Sequence, residues 1–329
     1  MTRSLIIGSL AGIASAVLVL TAASGPLGIL LGYLAPLPLF FAGLTHGVTA
    51  VGIAGAVGTL VSAFNGLLAG GVYLATFAAP VALVVRQALL ARPAHEAATE
   101  AGINAEVSDD LEWYPVGRLV LWLVGWSLGL FGVALLLTAD REGGLPGLLQ
   151  PLLIPFLSAM QQGPGQVSGQ VADLEAVAKR LATMMPAVFG VSWLVMMTIN
   201  GTLAQGLSVL LKQNRRPTPS YRALTLSRSL AVAMVAALVA AAVLPGDVAF
   251  IGGTVAAILA FPFFLQGLAV VHGLAAKASL PGLVLAAFYA ALVVAGALVG
   301  VLVVILGFIE EWAGFRRRFA GAGASREKN

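Results

Sequence analysis

The side chains of this chain that could do chemistry are few and scattered. Three histidines, His46, His95 and His272, are accompanied by no cysteine at all. Structural and catalytic metals are usually held by ligands recurring within a few positions of one another, and no histidine stands at such a distance from the next. They read as solvated or interfacial residues. The absence of cysteine excludes disulfides, thiol catalysis, iron–sulfur clusters and Cys-based zinc sites. No Gly-rich phosphate loop ending in Lys-Ser or Lys-Thr, no Gly-x-Ser-x-Gly elbow and no His-Glu-x-x-His occurs. With no paired acid and base either, the expectation is a protein that is not an enzyme and carries no cofactor.

Neutral polar residues inside apolar segments are the remaining handle. A hydrogen-bonding side chain in hydrocarbon seeks a partner or a water-filled cavity. Trp193, Met197, Asn200 and Ala204 share one helical face, with Gln205 a turn beyond Gly201. Asn65 follows Ser62, and Gln266 lies one turn after Pro262. Hydrogen bonding between helices accounts for such residues; a ligand cavity is the functional alternative. The candidate ligand-binding set is therefore Asn65, Trp193, Asn200, Gln205 and Gln266, with no catalytic or metal residue.

The elements that must position them are membrane spans. Hydrophobic residues make up 59% of the chain and charged residues 10%, against roughly 25% charged in a soluble domain. Candidate spans, set against about 30 Å of hydrocarbon, cover Leu5 to Ala23, Leu27 to Leu44, Gly47 to Asn65, Leu67 to Leu90, Val116 to Thr138, Met184 to Leu211, Leu230 to Leu244, Val248 to Ala275 and Leu280 to Ile309, of which Leu230 to Leu244, at fifteen residues, is the weakest. The fold class is an all-α polytopic transmembrane bundle of eight to ten spans, with nine candidates. A signal peptide is the other reading of the first run, which ends in Thr21-Ala22-Ala23-Ser24.

Three polar stretches divide the chain. Residues 1–90 form a four-span block, 91–115 an acidic cytoplasmic loop, and 116–211 a central helix pair with a long external loop at 139–183. Residues 212–228 form a basic cytoplasmic loop, 229–312 a C-terminal helical block and 313–329 a basic tail. Within 139–183, Pro146, Pro151 and Pro155 should break an apolar piece. Val171, Leu174, Ala178 and Leu181 beyond it suit either a surface helix or an extension of the next span.

Lys212, Arg215, Arg216, Arg222 and Arg228 place their loop in the cytoplasm. Counting back puts the N-terminus and the 91–115 loop inside as well. Counting forward over three spans puts Arg316-Arg317-Arg318 outside, against the same rule, and a cytoplasmic tail is favoured. The charge of +4 is collected at span ends, the pattern of a membrane protein and not of nucleic-acid binding. No acidic or basic residue lies near the centre of a span; Arg86 and Glu310-Glu311 come closest. Carriers driven by ion gradients usually need such buried charges.

Glycines recur four apart at Gly8 and Gly12, Gly28 and Gly32, Gly66 and Gly70, Gly125 and Gly129, and Gly296 and Gly300. This spacing lets helix backbones approach closely.

The stretch Leu34-Ala35-Pro36-Leu37-Pro38-Leu39-Phe40-Phe41, with Thr45-His46-Gly47 after it, resembles the YybS-like family of uncharacterised bacterial multi-pass membrane proteins. Leu265-Gln266-Gly267-Leu268-Ala269 and Leu306-Gly307-Phe308-Ile309 through Phe315-Arg316-Arg317-Arg318 agree with it; Glu310-Glu311 stands where the family would have an Asp. The family's N-terminal helices are similar to substrate-capture subunits of energy-coupling-factor transporters and to the rod-shape membrane protein group. The resemblance implies a bacterial inner-membrane protein that binds a small solute or lipid-like molecule and acts with membrane or cytoplasmic partners. The alternative is a non-catalytic envelope scaffold or assembly protein.

Overall fold

The computed structural model describes residues 2–93, 111–162, 174–219, 224 and 226–314, organised in two compact units. Unit 1 comprises Met1–Leu123 and Val195–Thr225; unit 2 comprises Val124–Leu194 and Leu226–Asn329. Seven helices or helix pairs are long and apolar enough to cross a membrane, and four shorter apolar helices accompany them. His95, the acidic residues from Glu96 to Asp110, Arg222 and the basic tail lie outside the described residues.

In unit 1, α1 (Thr2–Thr21) packs along α4 (Val48–Ala63). The reason is legible in α1: a Cβ at Gly8 would sit 2.7 Å from the Ala50 carbonyl oxygen, and one at Gly12 would collide with that of Ala54. Backbone-to-backbone contact of this closeness is open only to glycine. The second span is discontinuous. Pro36 and Pro38 lack the N–H groups that the carbonyls of Gly32 and Leu34 would receive, so the helix stops as α2 (Pro26–Gly32) and restarts as α3 (Pro36–His46). The gap is bridged by tighter bonds, Ala35 N to Gly32 O at 3.1 Å and Leu37 N to Leu34 O at 3.0 Å. The fourth span is α5 (Leu67–Tyr73), a π-helical turn (Leu74–Ala78) and α6 (Ala79–Ala88).

The two ends of the 91–115 loop pair with each other. Ala91–Pro93 and Leu111–Trp113 form strands β1 and β2, antiparallel, with Arg92 opposite Glu112. Their side chains pair at 2.8 Å, half-exposed. Two long helices contribute to both units. Unit 1 takes the first eight residues of α7 (Val116–Leu137) and the residues from Val195 onward of α9 (Leu174–Leu210).

In unit 2 the structure corrects the expected break of the apolar piece within 139–183. Gly144–Gln162 is one helix, α8, with Pro151 and Pro155 inside it. α9 continues unbroken from Leu174, so the surface-helix reading gives way to the extended-span reading. The prolines fail to end α8 because its apolar face has a partner: Leu153 packs with Ala178 and Ala182 of α9, flanked by Leu149, Leu157 and Met185. The van der Waals contacts of that face stand against the hydrogen bonds the prolines forfeit.

The C-terminal part holds α10 (Arg228–Val243), α11 (Gly246–Ala275), α12 (Pro281–Val294) and α13 (Gly296–Ala313). The candidate Leu280 to Ile309 is thus two helices, divided at Ala295 (φ −118°, ψ 39°). α10 and α11 form a hairpin about Pro245-Gly246, where a Cβ at Gly252 would lie 2.8 Å from Ala237 O. α11 meets α13 where Gly267 faces the Val303 carbonyl and Gly307 that of Phe263, the closest helix approach in this unit. Phe263 and Phe308 stack edge to face beside it, 5.4 Å between centroids.

Candidate ligand cavity

The site begins where α9 ends. Lys212 adopts a left-handed conformation (φ 56°). Gln213 N then bonds Ser208 O at 2.8 Å and Lys212 N bonds Val209 O at 2.9 Å. This paired bonding closes a helix C-terminus and reverses the chain, carrying Arg215 and Arg216 back onto unit 1. The returning strand is pinned: Gln205 Nε2 donates to Arg216 O at 3.1 Å, and Asn214 Nδ2 donates to the same oxygen at 3.0 Å.

Both arginines then serve other helices. The last carbonyls of a helix lack intrahelical donors and lie at the negative end of its dipole. Arg215 Nε donates to Thr45 O at the end of α3 (2.9 Å), and Arg216 Nη1 to Ala88 O at the end of α6 (2.9 Å). Arg216 Nη2 reaches Tyr114 O at 3.4 Å, and its guanidinium carbon lies 5.7 Å from the centre of the Trp113 ring. Gly47 is required here twice over. Its φ of +91° suits glycine, and a Cβ would sit 2.9 Å from Arg215 Nη1.

This construction closes a cavity of about 220 Å³ within unit 1. Phe40 and Leu44 of α3, Val84, Val85 and Ala88 of α6, and Val116, Leu119, Val120 and Leu123 of α7 form apolar walls. From α9 come Met197, Thr198, Gly201, Thr202, Gln205 and Gly206, and from the segment beyond it Arg216, Thr218 and Pro219. Among the described residues Arg216 is the one ionisable side chain in this lining. Thr198 Oγ1 is buried with no hydrogen-bond partner among the described residues. The arrangement offers an apolar chamber, a cation, an amide and three hydroxyls, enough to hold and orient an amphipathic molecule.

A second polar cluster surrounds the break between α2 and α3. Asn200 Nδ2 donates to Tyr33 O and to Met196 O, each at 2.8 Å. Ser15 Oγ donates to Ala35 O at 2.6 Å, and Tyr73 OH to Ser15 Oγ at 2.7 Å. Ser15, Tyr73 and Asn200 are all buried. Backbone groups freed inside a membrane span are tolerated where side chains re-satisfy them; Ser15 and Asn200 do so, and Tyr73 holds Ser15 in place.

Of the five residues singled out from sequence, Gln205 alone lines the cavity. Asn200 braces the helix break. Asn65 is exposed in the turn between α4 and α5 and does not line this cavity, because its polarity marks a helix end and not a span interior. Trp193 is half-buried in the part of α9 that belongs to unit 2. Gln266, also in unit 2, is buried, with Oε1 unbonded among the described residues. Sequence reasoning missed Arg216, Thr198, Ser15 and Tyr73. Arg216 was visible as a loop charge, and the adjoining Pro217 gave no sign that its neighbour turns inward. Among the described residues no group of three or more His, Asp or Glu could hold a metal.

Residues 153–310 match the family described as "Predicted membrane protein (DUF2232)". The match covers just under half of the chain and supports multi-pass membrane insertion as well as kinship with an uncharacterised group. No curated protein and no solved structure matches.

Proposed function

We propose that this protein is a membrane-embedded binding subunit for a small, partly apolar molecule, working with partner proteins that supply any energy coupling. The observation that carries the reading is the cavity enclosed by α3, α6, α7, α9 and the Arg216 segment. Ligand sites are characteristically concave, mostly apolar and furnished with a few converging polar groups. The resemblance of the N-terminal helices to transporter capture subunits and the lack of a nucleotide motif support the same division of labour. The test is thermal stability of the purified protein in mild detergent against metabolite and lipid extracts, with pull-down from the same preparation. Stabilisation by an extract together with recovery of a transporter ATPase supports it; no stabilisation by any extract refutes it.

The competing reading, a non-catalytic envelope scaffold, draws on Gly125, Gly129, Gly296 and Gly300. A Cβ at any of these would meet nothing within 4 Å, leaving smooth helix faces open. It predicts recovery of morphogenesis or division proteins and a shape defect on deletion, with solute uptake unchanged.

A further inference from the structure

We infer that α12 is a lipid-binding element: it lies along one leaflet of the bilayer at the Ala275 end of α11, with lipid hydrocarbon on every side, and does not cross the membrane.

Register decides that it does not cross. Gly267 of α11 faces the Val303 carbonyl of α13, and Phe263, one turn earlier on α11, faces Gly307, one turn later on α13. One helix advances as the other retreats, so the two are antiparallel. The last residue of α11, Ala275, and the first of α13, Gly296, therefore stand at the same end of the pair, and α12 connects them there. Its 14 residues measure about 21 Å, short of the roughly 30 Å of hydrocarbon. Its middle is also tied to that end. The Tyr289 hydroxyl lies 3.4 Å from Nε2 of His272 in the last turn of α11, and the two rings meet edge to face with centroids 5.9 Å apart. His272 Nδ1 is 2.8 Å from the Leu268 carbonyl oxygen, which can only accept, so Nδ1 carries the proton and Nε2 receives that of Tyr289.

Composition decides what surrounds it. A helix resting on a membrane surface turns a charged or polar face to water and an apolar face to the lipid chains. From Pro281 to Val294 the one polar side chain is Tyr289, and its hydroxyl is spent on His272. No residue of α12 is buried by the rest of the protein, so Leu283, Val284, Val293 and Val294 stand exposed around the helix. A protein partner would cover one side and leave the others in water. A helix apolar all round calls for an apolar medium all round, and the bilayer already supplies one to the exposed Leu298 and Leu302 of the adjoining α13.

The experiment uses the full chain, which has no cysteine of its own, in vesicles of phosphatidylethanolamine and phosphatidylglycerol. Single cysteines carry a nitroxide whose collisions with oxygen, concentrated in hydrocarbon, are compared with those of a water-soluble nickel chelate. Leu285→Cys, Ala286→Cys, Ala287→Cys and Phe288→Cys sample every side of the helix, because successive positions turn by about 100°. We expect oxygen collisions to dominate at all four. Leu283→Cys and Val293→Cys should report depths within about 5 Å of each other, whereas a crossing helix would separate them by about 15 Å. Leu298→Cys and Ile309→Cys on α13, long and apolar enough to cross, should differ by about 16 Å. That pair is the control for folding and insertion, and equal depths there would overturn the register on which the inference stands. A depth difference of about 15 Å along α12 would make it a crossing helix. Nickel collisions dominating on one side would make it a surface helix, and protection from both reagents on one side would mark a protein partner or a second copy; each of these results overturns the inference.

Discussion

Arg216 donates from Nη1 to the carbonyl oxygen of Ala88 at 2.9 Å, so a loop residue late in the chain closes the end of a helix laid down far earlier. Arg216 is buried while its neighbour Arg215 is exposed. Replacing Arg216 with Ala strips the Ala88 and Tyr114 carbonyls of a charged donor and should cost about 2–4 kcal/mol. Arg215→Ala should cost under about 1 kcal/mol, as exposed charge contacts do. Denaturant unfolding in detergent micelles, followed by tryptophan fluorescence, measures both; equal losses would contradict the burial.

Asn200 bridges Tyr33 and Met196, so Asn200→Ala should lower stability by about 1–2 kcal/mol, toward the upper end for hydrogen bonds between membrane helices. Ser15→Ala should do more, because it strips Ala35 O and also the acceptor of the buried Tyr73 hydroxyl. The same unfolding assay ranks the two.

Gly307→Val drives a side chain into the Phe263 backbone of α11 and should cost about 3 kcal/mol, the upper range for overpacking. Gly300→Val, on the same helix but facing open space, should change stability by less than about 0.5 kcal/mol. If the two behave alike, α11 and α13 do not meet where Gly267 and Gly307 place them.

The chain has no cysteine, so single cysteines report sidedness directly. Asn65→Cys in the exposed α4–α5 turn should react with an impermeant maleimide from outside intact cells. Gln213→Cys, at the basic end, should react after permeabilisation alone. The reverse pattern would invert the orientation.

Much of this was written in composition and charge. Apolar runs located the long helices of unit 1, and Arg215 and Arg216 marked its basic end whether or not they were buried. That indifference is also why the cavity was hidden: the sign of a loop charge carries no record of where its side chain lies. The apolar piece within 139–183 was misread as broken because proline was weighed without its neighbours, and Leu153 against Ala178 and Ala182 holds α8 together regardless. Glycine spacing succeeded at Gly8 and Gly12, whose contacts are regular along one helix. It missed Gly267 with Gly307, since each is an isolated glycine whose partner lies on another helix.

The interrupted second span also constrains how the protein is made. The carbonyl of Tyr33 emerges early, but the amide that satisfies it belongs to Asn200, 167 residues later. At about 5–20 residues per second, translation of that interval takes roughly ten to thirty seconds. Until then the α2–α3 segment must keep that carbonyl near water or against the insertion machinery, so this span should be the last of the N-terminal block to settle in lipid.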